Sequence, residues 1–150
     1  MPVYNAPLEN LKFVLHDVLG TEKLLSLPGY EEVTPDLIDS ILEEAAKMCE
    51  EVLFPLNQSG DKEGCRWDNG VVGTPEGFKD AYDAFSQSGW CGAVADPKYG
   101  GMGLPATIGF AINEMVCSAN MSFGMYPGLS EGAYNALYLH GTDDQKNTYL

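Results

Sequence analysis

The sequence predicts an all-α fold, on three observations. Apolar residues recur at helical spacing over most of the 150 residues, proline and glycine stand where helices start and stop, and no segment alternates at strand period over a useful length. With 45% hydrophobic and 11% aromatic residues the chain can bury a core, so 22 acids against 8 bases do not imply disorder. The length suits one domain or one layer of a larger protein.

The elements follow in order. Over residues 7–19, Leu8, Leu11, Leu15 and Val18 share a face, and Gly20 is the stop. Leu27-Pro28-Gly29-Tyr30 reads as a turn. Over 35–54, Leu37, Ile38, Ile41, Leu42, Ala45, Met48, Cys49, Val52 and Leu53 form a wide apolar stripe, with Glu43, Glu44, Glu50 and Glu51 opposite. Thr34 caps this helix, Pro35 fills its first position, and Pro55 is expected to end it, because the residue before a proline avoids the α conformation. Residues 57–73 are polar and glycine-rich and read as a loop, with Asp68-Asn69-Gly70 as a tight turn. Thr74-Pro75 repeats the cap-plus-proline signature ahead of Phe78, Tyr82 and Phe85, and Gly89 closes that helix. Residues 90–105 form a Gly- and Pro-rich connector. A helix over 105–120 carries Ile108, Ala111, Ile112, Met115 and Val116, an irregular apolar turn spans 120–128, and a helix over 129–140 stops at Gly141. Thr142-Asp143-Asp144-Gln145 is a capping box that opens a last helix. The chain stops a few residues beyond it with no C-terminal stop signal, so the sequence reads as cut rather than finished.

Composition excludes several functions. A net charge of −14, with the eight basic residues scattered singly, argues against nucleic acid and anionic membranes as partners. No apolar run approaches the roughly 20 residues of a membrane span, and MPVYNAPLEN has neither part of a secretory leader. Cys49, Cys65, Cys91 and Cys117 are widely separated, with no CxxC pair, which suits reduced thiols in a cytoplasmic setting rather than zinc or a disulfide scaffold.

Candidate chemistry is sparse. YGGMGLP at 99–105 lacks the Lys-Ser/Thr of a phosphate loop and the strand that precedes a dinucleotide-binding turn, so a structural turn is the better reading. His16 and His140 have no metal-ligand spacing, and Glu114 and Glu131 read as half-exposed or capping groups rather than catalytic bases. No nucleophile motif is present. Met115, Met121, Phe123, Met125 and Tyr126 suit either a core or the wall of an apolar tunnel.

Together, Gly89-Trp90 followed by DPKYGGMGLP, the apolar helix around INEM, and HGTDDQKNTYL resemble the N-terminal helical domain of acyl-CoA dehydrogenases. The opening YNAPLENLKFVL, LPGYEE and PLNQSGDKEGC resemble the large bacterial branch, which includes enzymes similar to the 3-methylmercaptopropionyl-CoA dehydrogenase type. The resemblance covers essentially the whole chain. It implies an up-and-down bundle of about six helices, with an N-terminal extension at 1–34 and the helical domain at 35–150. In the family a carboxylate takes the α proton of an acyl-CoA and FAD accepts hydride from the β carbon. The flavin β-domain and the helical domain with the catalytic carboxylate have no counterpart in these 150 residues. No catalytic, metal or cofactor-binding residue is therefore expected, and the chain alone should be inactive and hold no FAD. Counting back from the Gln145-Lys146 motif, the resemblance puts Met125, Tyr126, Leu129 and Tyr134 on the acyl-pocket wall. It also implies homo-oligomers and an acceptor of the electron-transfer flavoprotein type. The alternatives are a free-standing acidic α-helical interaction module and a small lipid or thioester carrier-binding domain.

Overall fold

The computed structural model describes residues 3–150; Met1 and Pro2 of the expected extension lie outside the described residues. The architecture is all-α, apart from one short hairpin. Helix α1 (Leu8–Lys12) runs directly into a π-helical turn, Phe13–Val18. Gly20, at φ +64°, ends this unit as its position predicts. A short helix α2 (Thr21–Leu25), for which the sequence carries no periodic signal, follows it. Thr21 is fully buried and donates its hydroxyl to the Leu15 carbonyl, which closes the turn between the two.

Helix α3 (Pro35–Lys47) starts as expected, with the Thr34 hydroxyl accepting from Leu37 N at 3.2 Å and Pro35 in the first position. Pro55 does not end it. The chain continues through a π-helical turn (Met48–Leu53) into α4 (Phe54–Glu63), and Gly64 at φ +66° is the true stop. Pro55 lacks an amide and its ring would crowd a carbonyl one turn back. The π turn just before it widens the helix there, so Phe54 keeps a right-handed helical backbone. The loop expected over 57–73 is accordingly half helix. Its remainder is a hairpin of β1 (Arg66–Asp68) and β2 (Val71–Gly73), with Trp67 opposite Val72. Asn69 (φ +47°) and Gly70 (φ +87°) are both left-handed, the requirement of a two-residue turn that matches strand twist.

Helix α5 (Phe78–Gln87) begins later than Thr74-Pro75 suggested. Pro75 instead forms a turn, its carbonyl accepting from Phe78 N at 3.2 Å, and left-handed Gly77 precedes the helix. Gly89 closes it, as expected. Helix α6 (Ala106–His140) replaces the helix, irregular turn and helix expected over 105–140. The irregularity shrinks to one residue, Asn120 (φ −157°, ψ 91°), and Pro127 is carried inside the second half. Asn120 is wholly buried. Its Oδ1 accepts from Phe123 N at 3.1 Å, capping the second half, and its Nδ2 donates to the Leu53 carbonyl at 3.0 Å. The last helix, α7 (Asp143–Tyr149), opens on the expected capping box: Gln145 N donates to Thr142 Oγ1 at 3.3 Å and Thr142 N to Gln145 Oε1 at 2.9 Å.

The core lies between α3 with its π turn, α5 and the stretch of α6 from Ile108 to Phe123. Ile38, Leu42, Leu53, Ile108, Met115 and Phe123 are completely enclosed there. The N-terminal segment is strapped across it: Leu11 and Leu15 are buried, Ala6 N donates to Glu50 Oε1 at 2.7 Å, and Tyr4 Oη donates to the Met115 carbonyl at 3.3 Å. A polar cluster secures the strap to α3, with Asp39 contacting Lys12 (3.4 Å) and His16 (2.8 Å) and Glu43 contacting Lys12 (2.8 Å).

Candidate functional site

The glycine-rich connector forms first, and its chemistry is internal. Residues 92–96 and 99–104 fold back on each other: Met102 N donates to Gly92 O (3.0 Å), Leu104 N to Ala93 O (3.0 Å), Gly103 N to Ala95 O (2.9 Å) and Gly101 N to Asp96 O (3.2 Å). Tyr99 N and Gly100 N are likewise taken by Asp96 O and Pro97 O. Every amide from 99 to 104 is therefore committed, and none is left to cradle a phosphate. Only glycine fits at position 101, because a Cβ there would lie 2.0 Å from the Ala95 carbonyl oxygen. The turn reading of YGGMGLP holds, and the residues present do not fit a flavin diphosphate at this loop.

This rigid loop seats the second half of α6. Asp96 N donates to Tyr134 Oη at 2.8 Å, and Tyr138 Oη donates to Asp96 Oδ2 at 3.0 Å. The Asp96 carboxylate also accepts from Lys98 N at 2.8 Å. The Lys98 amide foremost, and the Tyr138 hydroxyl after it, hold this carboxyl below the usual range. Tyr138 is pushed the opposite way by the same carboxylate. The Tyr134 and Tyr138 rings stack at 5.6 Å, and Tyr99 meets Tyr138 edge-on at 6.3 Å. A cleft of about 360 Å³ opens beside them, walled by Pro28, Tyr30, Asp96, Tyr134, Asn135 and Tyr138 among others.

The four residues placed on the acyl-pocket wall by resemblance do not share one surface. Met125 and Leu129 project outward, 67% and 80% exposed, and continue a stripe that begins at Met121. Tyr126 turns toward α5, edge-on to Phe78 at 6.4 Å and to Phe123 at 6.3 Å, and borders a separate cleft of about 470 Å³ with Thr74, Lys79 and Tyr82. Tyr134 alone reaches the Asp96 loop. Helical geometry explains the split, since a turn of about 100° per residue puts Met125 and Tyr134 on opposite faces. The Met and aromatic group divides as well: Met115 and Phe123 are core, whereas Met121 and Met125 are surface.

Sequence reading missed Asp96, Tyr138 and Tyr30. Tyr138 lies one turn beyond Tyr134, so helical spacing could have found it. The partnerships with Asp96 join segments distant in sequence and carry no local signal. His16 is tied to Asp39, and Glu114 and Glu131 are exposed. Among the described residues no cluster of His, Cys, Asp and Glu could hold a metal, and no helix is long and apolar enough to cross a membrane.

Three relatives align over nearly the whole chain. The 3-methylmercaptopropionyl-CoA dehydrogenase of Ruegeria pomeroyi is 42% identical over 147 residues, covering 98% of this chain and 25% of that protein. The butyryl-CoA dehydrogenase of Syntrophomonas wolfei is 30% identical, over 98% of this chain and 25% of that protein. The broad-specificity linear acyl-CoA dehydrogenase FadE5 of Mycobacterium tuberculosis is 30% identical, over 97% of this chain and 24% of that protein. The chain thus spans about a quarter of the length of the curated relatives it matches. The family described as "Acyl-CoA dehydrogenase, N-terminal domain" matches residues 38–150. On that match, and on a helical architecture that agrees with it, the chain belongs to the acyl-CoA dehydrogenase family as its N-terminal helical domain.

Proposed function

We propose that this chain is the N-terminal domain of a FAD-dependent enzyme that dehydrogenates an acyl-CoA thioester across its α and β carbons. On this reading it contributes part of the acyl-pocket wall and is inactive alone. The alignment of 98% of the chain with a 3-methylmercaptopropionyl-CoA dehydrogenase carries the proposal. Geometry adds one refinement. Of the four wall candidates, Tyr134 has the attributes of a pocket residue: a fixed hydroxyl, a stacked ring and an adjoining cleft. Met125 and Leu129 suit contact with protein outside these 150 residues, because their exposed apolar surface favours burial. Tyr126 lies between, anchored by its aromatic neighbours at a different cleft.

What the chain does for the chemistry is positional. The closed connector holds Asp96, Asp96 holds Tyr134 and Tyr138, and the capped break at Asn120 sets the direction of the helix that carries them. The flavin, the proton-abstracting carboxylate and the contact with an electron-transfer flavoprotein belong, in this proposal, to the remainder of a protein of the relatives' length. A cytoplasmic homo-oligomer is part of the same proposal.

The test compares two preparations, this 150-residue chain and one extended to the relatives' length. Each is assayed for acyl-CoA oxidation with added FAD and an artificial electron acceptor. The long form should turn over and the short form should not. Turnover by the short form would refute the assignment of a wall-forming, inactive domain.

A further inference from the structure

We propose that Asn69 is a site of spontaneous covalent modification, where the side-chain amide is lost as ammonia and the hairpin tip is rebuilt through isoaspartate. The inference is independent of the acyl-CoA reading. The chemistry needs an asparagine, an unshielded backbone nitrogen on the next residue, and freedom for the two to meet.

Asn69 is the only asparagine of the chain that is followed by glycine. Any other residue would shield the attacking nitrogen with its Cβ, which glycine lacks. Among the described residues, neither Gly70 N nor the Asn69 side chain has a hydrogen-bond partner, so neither reacting group is tied down. A Cβ built on Gly70 would meet no atom within 4 Å, and both residues are exposed, so nothing stands over the tip. The remaining obstacle is the compact turn itself, which must open for Asn69 to rotate onto its neighbour. That obstacle is weak. The ladder has three residues in each strand, and Gly73 alone among them is not fully exposed. A two-stranded hairpin is marginal in water, and exposed segments open locally at little cost.

In the open form Gly70 N gives up its proton to hydroxide and attacks Asn69 Cγ. A bond from nitrogen to Cγ forms, the Cγ–Nδ2 bond breaks, and ammonia leaves with a proton from water. Water then opens the five-membered imide. Cleavage of the new bond leaves aspartate, whereas cleavage of the original peptide bond leaves isoaspartate, with the chain running through the side-chain carbon. No oxidant or cofactor is consumed. Either product takes the net charge from −14 to −15. Aspartate tolerates a left-handed turn position and keeps the hairpin. Isoaspartate lengthens the backbone inside a two-residue loop, and loop length fixes the register, so Asp68 with Val71 and Trp67 with Val72 can no longer pair.

The experiment ages the intact 150-residue chain, well below its melting temperature, at neutral and mildly alkaline pH beside the free peptide of residues 66–73. Peptide mapping by mass spectrometry should find a gain of one mass unit at Asn69 and at no other asparagine, faster at the higher pH. Conversion in the folded chain should be slower than in the peptide by no more than about tenfold, because so small and exposed a hairpin opens readily. The isoaspartate fraction should show faster amide hydrogen exchange over residues 66–73 than the fresh chain, and an Asn69→Asp variant should not. If Asn69 stays intact in the folded chain while the peptide converts fully, the turn protects it and the inference falls. Equal conversion of the other asparagines would overturn it as well, since the site would then have no special geometry.

Discussion

Asn120 concentrates the most consequence in one side chain. It is a fully buried amide, and it spends its donor on the Leu53 carbonyl and its acceptor on the Phe123 amide. Asn120→Ala would leave both backbone groups unsatisfied in the core and remove a helix cap. We expect a loss of about 2–4 kcal/mol in denaturant unfolding, from the unmade hydrogen bonds and the lost cap together. Asn120→Asp should also destabilise, because a carboxylate cannot donate to Leu53 and would be a buried charge. Cys49 offers a second test. Burial, with the neighbouring Glu50 adding, pushes its thiol up to about 12. The folded value lies above the unfolded one, so this contribution to stability is complete below about pH 8.5 and is lost as pH rises toward 12. Native protein should show rapid alkylation at the exposed Cys65 and Cys91, with Cys49 reacting only on unfolding. Equal labelling of all these thiols in the native state would contradict the burial.

At the scale of elements, the connector and the N-terminal strap behave differently. Gly101→Ala forces a Cβ against the Ala95 carbonyl, and backbone cannot move aside as a flexible side chain can. The fold-back of 92–96 on 99–104 should open, with a loss above about 3 kcal/mol and faster hydrogen exchange at Met102–Leu104. The strap depends instead on charge. Burial by itself would raise the Asp39 carboxyl, but hydrogen bonds from His16 and Lys12 hold it below its ordinary value. Its stabilisation is present above the unfolded carboxylate pKa of about 3.9 and is lost as pH falls through the lower folded value. Amides of α1 and its π turn should therefore lose protection in acid before those of α3, and Asp39→Asn should abolish that difference. Helix existence was legible from sequence wherever apolar spacing was regular, as in α3, α5 and both halves of α6. Helix ends were legible where glycine or a side-chain cap decided them, at Gly20, Thr34, Gly89 and Thr142. Proline was a reliable start signal at Pro35 but misled at three other positions. Pro55 and Pro127 sit inside helices because a π turn or a nearby break accommodates the ring, and Pro75 stops short of one.

For the whole molecule, the distribution of exposure is informative. Of the 22 acids, 13 fall in residues 1–64 with only 4 bases, spread over the N-terminal segment, α3, its π turn and α4, whereas the second half of α6 leaves Met121, Met125 and Leu129 bare. The isolated chain should bind apolar dyes and self-associate through that stripe. Met125→Glu with Leu129→Glu should suppress both without shifting thermal stability by more than a few degrees, since neither side chain is in the core. Strictly monomeric elution of the unmodified chain, with no dye binding, would contradict this expectation. The sequence by itself determined the all-α class, the order of the main helices, the capping box and, through its motifs, the family. Those features depend on local propensity, periodicity and residue identity, which a chain displays without folding. Only the tertiary structure decided that Tyr134 and Met125 face apart, that Asp96 joins Tyr134 to Tyr138, and that Tyr30 borders the same cleft. These depend on where one break at Asn120 and one closed loop send segments that are remote from each other along the chain, and no local pattern encodes that direction.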